Sequence, residues 1–401
     1  MNITLVDPIA ATANVTGRTL FSPDIPPVGR DPQALRETKV VELAAQIARS
    51  GHRVTVLLGD LFVDGHGGTT PEGVRIVSLE TVMRFPFHPG LIPATPSLLG
   101  NSALRDADVM QVSEFHQPST FFSCVAAHEG SVPVVLWQET FRHMRFPGSA
   151  YQRAFESICG PFVQAHTKKF IPRTTRARDY LLSLGAPEDR IGHWIPTGID
   201  VDAFVPRQTR TSRADFGWPE DSPVILLVGR LHRSKGVDLA IRAMKQVTRS
   251  HPDARLLVRG SGPEQNALVR LANDLGLDGS VRFIGRKSRE AMIDLYNLAD
   301  VVLCTSRVDL LPFSLIEAAA CGRPAVASDV GAIRDIVVDG RTGVLVGGGD
   351  IEGFSTAICS LLDTPDLAAS MGRAARERAE RCFAMRLMAQ RLIEVYRDVA
   401  S

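Results

Sequence analysis

The stretch that decides the fold is VVLCTSRVDLLPFSLIEAAACGRPAVAS, residues 301–328. Its first four residues form an apolar run of the kind that is buried in parallel strands, and its last four form a second such run. Between them the pattern predicts a turn through Pro312 and a short helix that ends at Gly322, with Ser314 at its N-cap or in its first turn. The stretch therefore predicts a strand–loop–helix–strand unit of a parallel α/β sheet.

Two carboxylates, Asp309 and Glu317, frame the turn in this unit. The loop follows the C-terminal end of a strand, which is the edge where open α/β sheets bind ligands. The N-terminus of the following helix offers free N–H groups and a positive dipole end, which suit a phosphate. From this stretch alone, an ordinary βα unit with charged ends and a phosphate site are equally good interpretations.

Composition indicates a globular protein with more than one domain. The chain has 401 residues, of which 44% are hydrophobic and 22% charged, and a net charge of +1. This length predicts two domains, and the balanced charge gives no reason to expect nucleic acid as a partner. The six cysteines form no CxxC pair, which is typical of reduced thiols in a cytosolic protein. The first residues predict a strand rather than a signal peptide, and no apolar run is long enough to span a bilayer.

The order of apolar and amphipathic segments predicts two successive doubly wound α/β domains with a cleft between them. We place the first domain at residues 1–203 and the second at 204–380, since a polar, Pro-containing stretch at 204–221 resembles a linker. Residues 381–401 form an amphipathic C-terminal helix that we expect to pack back on the first domain. The Pro- and Gly-rich loop after the first strand is long enough to cover a binding cleft.

Two glycine-containing loops of the second half follow predicted strands at the ligand edge. The loop 229–236 carries Arg230 and Lys235, which could bind a diphosphate, although it matches neither the P-loop nor the dinucleotide fingerprint. A solvated loop with incidental basic residues explains it as well. The turn 260–263 has the sequence GSGP. A turn that approaches the ligand and a plain tight turn explain it equally well.

The sequence spacing predicts no metal site. The pair Asp106 and Asp108 resembles a DxD motif, but it precedes a strand and so lies away from the ligand edge. No His, Cys, Asp or Glu cluster has the spacing of a metal site, and no GxSxG elbow predicts a serine hydrolase.

Taken together, these motifs resemble the GT-B glycosyltransferases of family 4, which are retaining enzymes that use nucleotide sugars. The resemblance rests on the loop 229–236, the glycine turn 260–263, the Asp309–Glu317 pair with the EAAACG run, and IPTGID at 195–200. Residues 281–285 and 340–346 add to it. Each match is weak alone, but their order and spacing agree along the chain.

The resemblance implies the GT-B architecture, with two Rossmann-like domains facing a central cleft. The second domain would bind a UDP-, GDP- or ADP-sugar and the first a glycan, lipid-linked or small-molecule acceptor. It implies no bound cofactor and no metal. Transfer would retain the anomeric configuration, and the leaving phosphate would accept the acceptor's proton.

The resemblance also assigns site residues in this chain. Arg230 and Lys235 would neutralise the leaving diphosphate, Glu317 would bind ribose hydroxyls, and Asp309 would bind the sugar's hydroxyls. Further donor contacts are expected from Gly229, Gly262, Arg286, Phe313, Ser314 and Leu315.

Three positions depart from the family pattern. Asp309 replaces the usual Glu, and Ala34-Leu35 replaces a Gly-Gly turn, although Glu37 matches the acid that follows it. Glu139 stands where many members carry His. Glu37, His116 and Glu139 are candidate acceptor or sugar contacts. Alternatively, Glu139 is an exposed acid at a strand end, and His116 is a structural histidine.

A basic run is the main local charge asymmetry. Residues 142–178 contain eight Arg or Lys residues and only one acid, Glu156. Two interpretations stay open: solvated helix faces, or a surface for anionic lipid or a phosphorylated acceptor. The second would make the protein a cytoplasmic enzyme that binds peripherally to the inner face of the membrane.

Two other functions share the predicted fold: a nucleotide-sugar 2-epimerase, and a subunit that binds nucleotide sugar with weakened catalysis. An α-glucan phosphorylase would need a longer chain and a pyridoxal phosphate lysine, and an oxidoreductase would need the dinucleotide fingerprint that is missing here. The sequence does not identify the sugar, the base, the acceptor or the oligomeric state.

Overall fold

The computed structural model describes residues 1–7, 38–59, 67–80, 83–84, 93–144, 146 and 148–401. Glu37, the Ala34-Leu35 position and the predicted long loop lie outside the described residues. The chain divides into two compact units: Met1–Gly198 together with Met385–Ser401, and Ile199–Ala384. The predicted domain limits at 203 and 380 fall within five residues of this division.

The described part of unit 1 is built on a seven-stranded sheet of order β3-β4-β2-β1-β7-β8-β9. All its neighbours are parallel except β3 and β4, which are antiparallel. Strands β5 and β6 pair separately. The strands are β1 (Asn2–Val6), β2 (Arg53–Gly59), β3 (Gly68–Thr69), β4 (Arg75–Leu79), β5 (Met83–Arg84), β6 (Pro93–Ala94), β7 (Val109–Ser113), β8 (Val134–Gln138) and β9 (Thr167–Pro172).

Helices connect the parallel strands of unit 1. They are α1 (Lys39–Arg49), α2 (Ser102–Arg105), α3 (Pro118–Gly130), α4 (Gly148–Ile158), α5 (Gly160–His166) and α6 (Thr175–Ser183). Local signals set their ends: Thr38 accepts a hydrogen bond from the Val41 N–H at 3.3 Å and so caps α1. Thr174 caps α6 in the same way, through the Ala177 N–H at 3.0 Å.

Unit 2 lies wholly within the described residues, and its six-stranded sheet is parallel throughout, in the order β12-β11-β10-β13-β14-β15. The order reverses between β10 and β13, which makes this pair the topological switch point of a doubly wound sheet. The strands are β10 (Val224–Val228), β11 (Arg255–Arg259), β12 (Val281–Phe283), β13 (Val301–Cys304), β14 (Ala325–Ser328) and β15 (Gly343–Val346).

The helices of unit 2 cover its sheet. They are α7 (Val237–Ser250), α8 (Gln265–Asp274), α9 (Arg289–Leu298), α10 (Phe313–Ala320), α11 (Ile351–Asp363) and α12 (Pro365–Cys382). Strands β10 and β13 are buried along nearly their whole length, which explains why they read as continuous apolar runs. The α/β class and the two parallel sheets are thus confirmed.

The last helix, α13 (Met385–Ala400), belongs to unit 1. Its apolar face includes Met388, Leu392 and Tyr396, which are buried in the same core as residues of α1 and β1. The Tyr396 hydroxyl also donates to Gln111 Oε1 on β7, at 2.5 Å. Burial of this face, rather than any local signal, determines where the helix packs.

Helices α2, α4, α5, α11 and α12 were not predicted from the sequence. Helices α4 and α5 are short and follow each other almost directly, and Gly160 and Pro161 at their junction interrupt the apolar periodicity. Within the described residues, no helix combines the length and the apolar content needed to cross a bilayer.

Candidate active site

The loops after β10 and β13 meet at the switch point of unit 2. Lys235, from the first loop, places its Nζ 2.6 Å from Asp309 Oδ2 in the second. Gly229, Lys235, Asp309 and Ser314 line one small cavity there. The structure therefore brings together, at one edge of the sheet, residues that the sequence analysis assigned to the same site.

Asp309 is held firmly, since its side chain is only 9% exposed. Besides Lys235, its carboxylate accepts hydrogen bonds from Ser306 Oγ at 2.9 Å and from the Leu310 N–H at 3.1 Å. An ion pair with these extra donors satisfies the oxygen atoms of a carboxylate removed from water. The aspartate that replaces the family's glutamate is thus engaged with Lys235.

Arg230 lies beside this pair. Burial lowers the pKa of its guanidinium, and the nearby Asp309 charge opposes that shift. Among the described residues, the Arg230 guanidinium makes no hydrogen bond and no ion pair. A half-buried cation of this kind is suited to an anionic ligand, because an arginine fork can hold two phosphate oxygens.

Glu317 lies in α10, and its position is set partly by a residue that the sequence analysis missed. The Tyr296 hydroxyl, on α9, donates to Glu317 Oε2 at 2.7 Å. Tyr296 is fully buried, so the hydrogen bond holds the carboxylate in one orientation. No sequence signal marks Tyr296, since buried helix positions are commonly aromatic.

The glycine turn after β11 supports the loop that carries Arg230. Gly260 has a φ of +150°, and a Cβ on it would lie 1.8 Å from the Gly229 carbonyl oxygen. A Cβ on Gly262 would lie 2.3 Å from the Leu231 carbonyl oxygen. The Leu231 N–H donates to the Ser261 oxygen at 3.1 Å. These glycines are therefore required by a close approach of two backbones, which is more than a tight turn alone demands.

The first turn of α10 carries three predicted donor contacts. Pro312 is the N-cap residue, and Phe313 and Ser314 are partly exposed. Leu315 is buried, and its N–H donates to the Pro312 oxygen at 3.1 Å. The remaining predicted contact, Arg286, is exposed and follows β12.

In unit 1, Glu139 follows β8 and is ion-paired rather than free. Its Oε2 lies 2.5 Å from Arg173 Nη1. The Arg173 guanidinium also stacks 4.1 Å from the ring centroid of Trp137 and hydrogen-bonds to Thr197. Thr197 belongs to the IPTGID segment, so this network joins the ends of β8 and β9 to one of the family motifs.

A second carboxylate in unit 1, Glu114, follows β7 and was not singled out by the sequence. It has a φ of +68°, which is uncommon for a residue other than glycine. Its carboxylate accepts hydrogen bonds from Gln138 Nε2 at 2.9 Å and from the N–H groups of Glu139 and Thr140 at 2.8 and 3.3 Å. Burial raises the pKa of Glu114. This carboxylate therefore fixes the backbone that carries Glu139.

The third predicted contact, His116, is buried and paired. Its Nε2 lies 2.6 Å from Glu156 Oε1, and His143 Nε2 lies 2.6 Å from the same oxygen. Sequence spacing did not reveal this cluster, because its members come from the end of β7, the segment after β8 and helix α4.

Two family profiles match the chain, one on each side of the division between the units. The profile described as Glycosyltransferase Family 4 matches residues 37–203, and that described as Glycosyl transferases group 1 matches residues 208–378.

Relatives of established name are similar over long stretches. A D-inositol 3-phosphate glycosyltransferase of Acidothermus cellulolyticus is 31% identical over 346 residues, 82% of this chain and 77% of the relative. One of the same name from Corynebacterium kroppenstedtii is 34% identical over 252 residues, 60% of this chain and about half (55%) of the relative.

The fold is also similar to that of a solved structure. The crystal structure of Anabaena HepE in complex with UDP has a TM-score of 0.74 at 16% identity and covers 99% of this chain and all of that one. At this identity the likeness concerns the fold. With the two family profiles and the relatives, it shows that the chain belongs to the GT-B glycosyltransferases of family 4.

Proposed function

We propose that the protein is a retaining hexosyltransferase that moves a sugar from a UDP-, GDP- or ADP-sugar to a hydroxyl acceptor without a metal. The observation that carries the proposal is the half-buried Arg230 guanidinium beside the Lys235–Asp309 pair at the switch point of unit 2. Among the described residues, this guanidinium has no hydrogen-bond or ion-pair partner. Two cations and the N-terminus of α10 suit a diphosphate at this edge.

In this mechanism the bond between the sugar C1 and the diphosphate oxygen breaks, and negative charge grows on the leaving oxygen. Arg230 and Lys235 stabilise that charge. When the diphosphate attracts Lys235, the Asp309 carboxylate is freed to accept hydrogen bonds from the sugar's hydroxyls. Glu317, oriented by Tyr296, accepts hydrogen bonds from the ribose.

The acceptor oxygen forms its bond to C1 on the face that the diphosphate leaves, so the configuration is retained. The acceptor's proton passes to an oxygen of the leaving phosphate, which is why no dedicated base is needed. We assign the acceptor to unit 1, at the strand ends that carry Glu139 and Arg173. Two relatives are named for inositol phosphate, which supports a phosphorylated polyol as the first acceptor to test.

The test compares sugar transfer by Arg230→Ala, Lys235→Ala and Glu317→Ala with that of the native chain. Loss of one donor to the leaving group should reduce kcat by about 10²- to 10³-fold. Arg230→Ala is the cleanest variant, because its side chain loses no hydrogen bond among the described residues. Arg242→Ala is the matched control, since Arg242 is an exposed arginine on α7. Circular dichroism checks that each variant folds.

The outcomes separate the alternatives. Unchanged turnover in Arg230→Ala and Lys235→Ala would refute the proposed donor site. Donor conversion without any acceptor would indicate the 2-epimerase, and tight donor binding with neither transfer nor hydrolysis would indicate a catalytically weakened subunit.

Peripheral contact with an anionic bilayer is a further part of the proposal. Phe146 and Ile158 are 81% and 78% exposed, and the exposed cations Arg142 and Arg153 lie in the same stretch. Apolar side chains combined with cations are typical of surfaces that bind anionic lipid. The protein should pellet with anionic vesicles at low salt and be released at high salt. Equal binding to zwitterionic vesicles, or binding indifferent to salt, would contradict the lipid interpretation.

A further inference from the structure

Three segments of unit 1 converge on one carboxylate oxygen. His116 follows β7, His143 follows β8, and Glu156 lies on α4. Both imidazole Nε2 atoms lie 2.6 Å from Glu156 Oε1. The possible ligand atoms of all three side chains lie within 4.8 Å of one another. Two imidazole nitrogens and a carboxylate oxygen are a ligand set used by zinc and other first-row divalent metals.

One ligand of the cluster is buried and another is accessible. The side chain of His116 is 7% exposed and that of His143 is 39% exposed, so the cluster is closed on one side and accessible on the other.

A buried hydroxyl next to the cluster has no hydrogen-bond partner among the described residues. Tyr180 is 6% exposed, and its hydroxyl makes no hydrogen bond among the described residues. Its ring centroid lies 5.5 Å from that of His143 and 6.1 Å from that of His116. An unsatisfied buried hydroxyl is costly, and a water held in an open coordination position would satisfy it.

We propose that His116, His143 and Glu156 bind a divalent first-row cation, with Zn²⁺ as the best chemical match. Each ring would offer Nε2 to the metal and keep its proton on Nδ1, while Glu156 offers one oxygen. Zinc bonds of about 2.0–2.2 Å in a tetrahedron separate neighbouring ligand atoms by roughly 3.3 Å. The two nitrogens, now 2.6 Å from the carboxylate oxygen, would therefore move outward by about 0.7 Å.

The cation would tie the segment after β8 and helix α4 to the end of β7, and it would stabilise the native state by mass action. Its ligands belong to unit 1, whereas the proposed diphosphate residues belong to unit 2. The inference therefore does not rest on the proposed transfer reaction, and its readout is binding rather than activity.

The experiment titrates the full chain, freed of metal with a chelator, with Zn²⁺ by calorimetry and with Co²⁺ by visible absorption. We expect a single equivalent of Zn²⁺, an intense tetrahedral Co²⁺ spectrum that Zn²⁺ removes, and a melting temperature raised by Zn²⁺. His143→Ala and Glu156→Gln should each weaken binding by roughly 100-fold or more, since second-shell changes alone cost about 10- to 100-fold.

The control is the double variant His128→Ala/His166→Ala, which removes another histidine pair of unit 1, with ring centroids 4.5 Å apart. It should bind Zn²⁺ as the native chain does. Loss of binding in this control but not in His143→Ala would overturn the proposal. So would a Co²⁺ spectrum that stays octahedral and weak, or native protein that takes up no stoichiometric Zn²⁺. Because His143 is partly exposed, its alanine variant should fold, and circular dichroism in chelator verifies this.

Discussion

Tyr296→Phe is the substitution that most directly tests whether Glu317 belongs to the nucleotide site. It removes one hydroxyl and leaves the ring, which is fully buried. The lost hydrogen bond joins Tyr296 to Glu317 Oε2 over 2.7 Å. Glu317 then loses one of the contacts that orient its carboxylate, while the packing of α9 against its neighbours stays the same.

Two separate losses are expected. A hydrogen bond to a charged acceptor contributes about 1.5–3 kcal/mol to stability, so the free energy of unfolding should fall by about that amount. A carboxylate that is held less firmly must be ordered further when ribose binds, at a cost of up to about 0.5–1.5 kcal/mol per side chain. That cost corresponds to nucleotide binding weakened roughly 2- to 10-fold.

The assay measures urea denaturation for stability and calorimetry for the dissociation constant of UDP, GDP or ADP, whichever raises the melting temperature most. Tyr396→Phe is the matched control, because Tyr396 is equally buried in unit 1 but donates to the neutral Gln111 at 2.5 Å. The control should lose about 0.5–1.5 kcal/mol of stability and keep its nucleotide affinity.

If Tyr296→Phe binds nucleotide as tightly as the native chain while its stability falls, Tyr296 is only a structural residue and the assigned role of Glu317 is wrong. If both variants lose affinity equally, the effect comes from general destabilisation, and the reasoning from the Tyr296–Glu317 contact fails.

Two further substitutions test the surroundings of the site. Gly260→Ala should lose about 2–4 kcal/mol of stability, because its Cβ would lie 1.8 Å from a backbone oxygen at a φ of +150°. The control Gly279→Ala, with open space around it, should change stability by no more than about 0.5 kcal/mol. Equal melting temperatures of the two variants would refute the close packing. The hydrogen bonds from Arg307 lower the pKa of Asp238 below 3.8. The difference in stability between the native chain and Asp238→Asn should therefore be largest at pH 7 and shrink as the pH falls through the lowered pKa of the folded state. A difference in urea midpoint that is constant down to pH 2 would contradict this.

Much of unit 2 could be predicted because its signals are local. Strands β10 and β13 are continuous apolar runs, and Pro252 and Gly276 mark the ends of α7 and α8 between them. Parallel strands expose their C-terminal ends at one edge, so the loops with Arg230 and Asp309 could be assigned to one site before any contact was known. The structure places both loops at that edge.

Less could be predicted where short helices follow one another. Helices α4 and α5 have 11 and 7 residues, and Gly160 and Pro161 at their junction interrupt the periodic pattern. The ion pair between Glu139 and Arg173 was also not foreseen, since the two residues end different strands and nothing in their spacing links them.

The sequence by itself determined the two parallel sheets and the ligand edge of the second sheet, because hydrophobic periodicity and turn residues act over a few positions of the chain. Only the tertiary structure decided which side chains are partners. Lys235 and Asp309 are 74 positions apart, and Tyr296 and Glu317 lie on different helices. Their contacts depend on how whole elements pack together. Within the described part of the chain, that packing also leaves Arg230 without a partner at the point where we propose that a diphosphate binds.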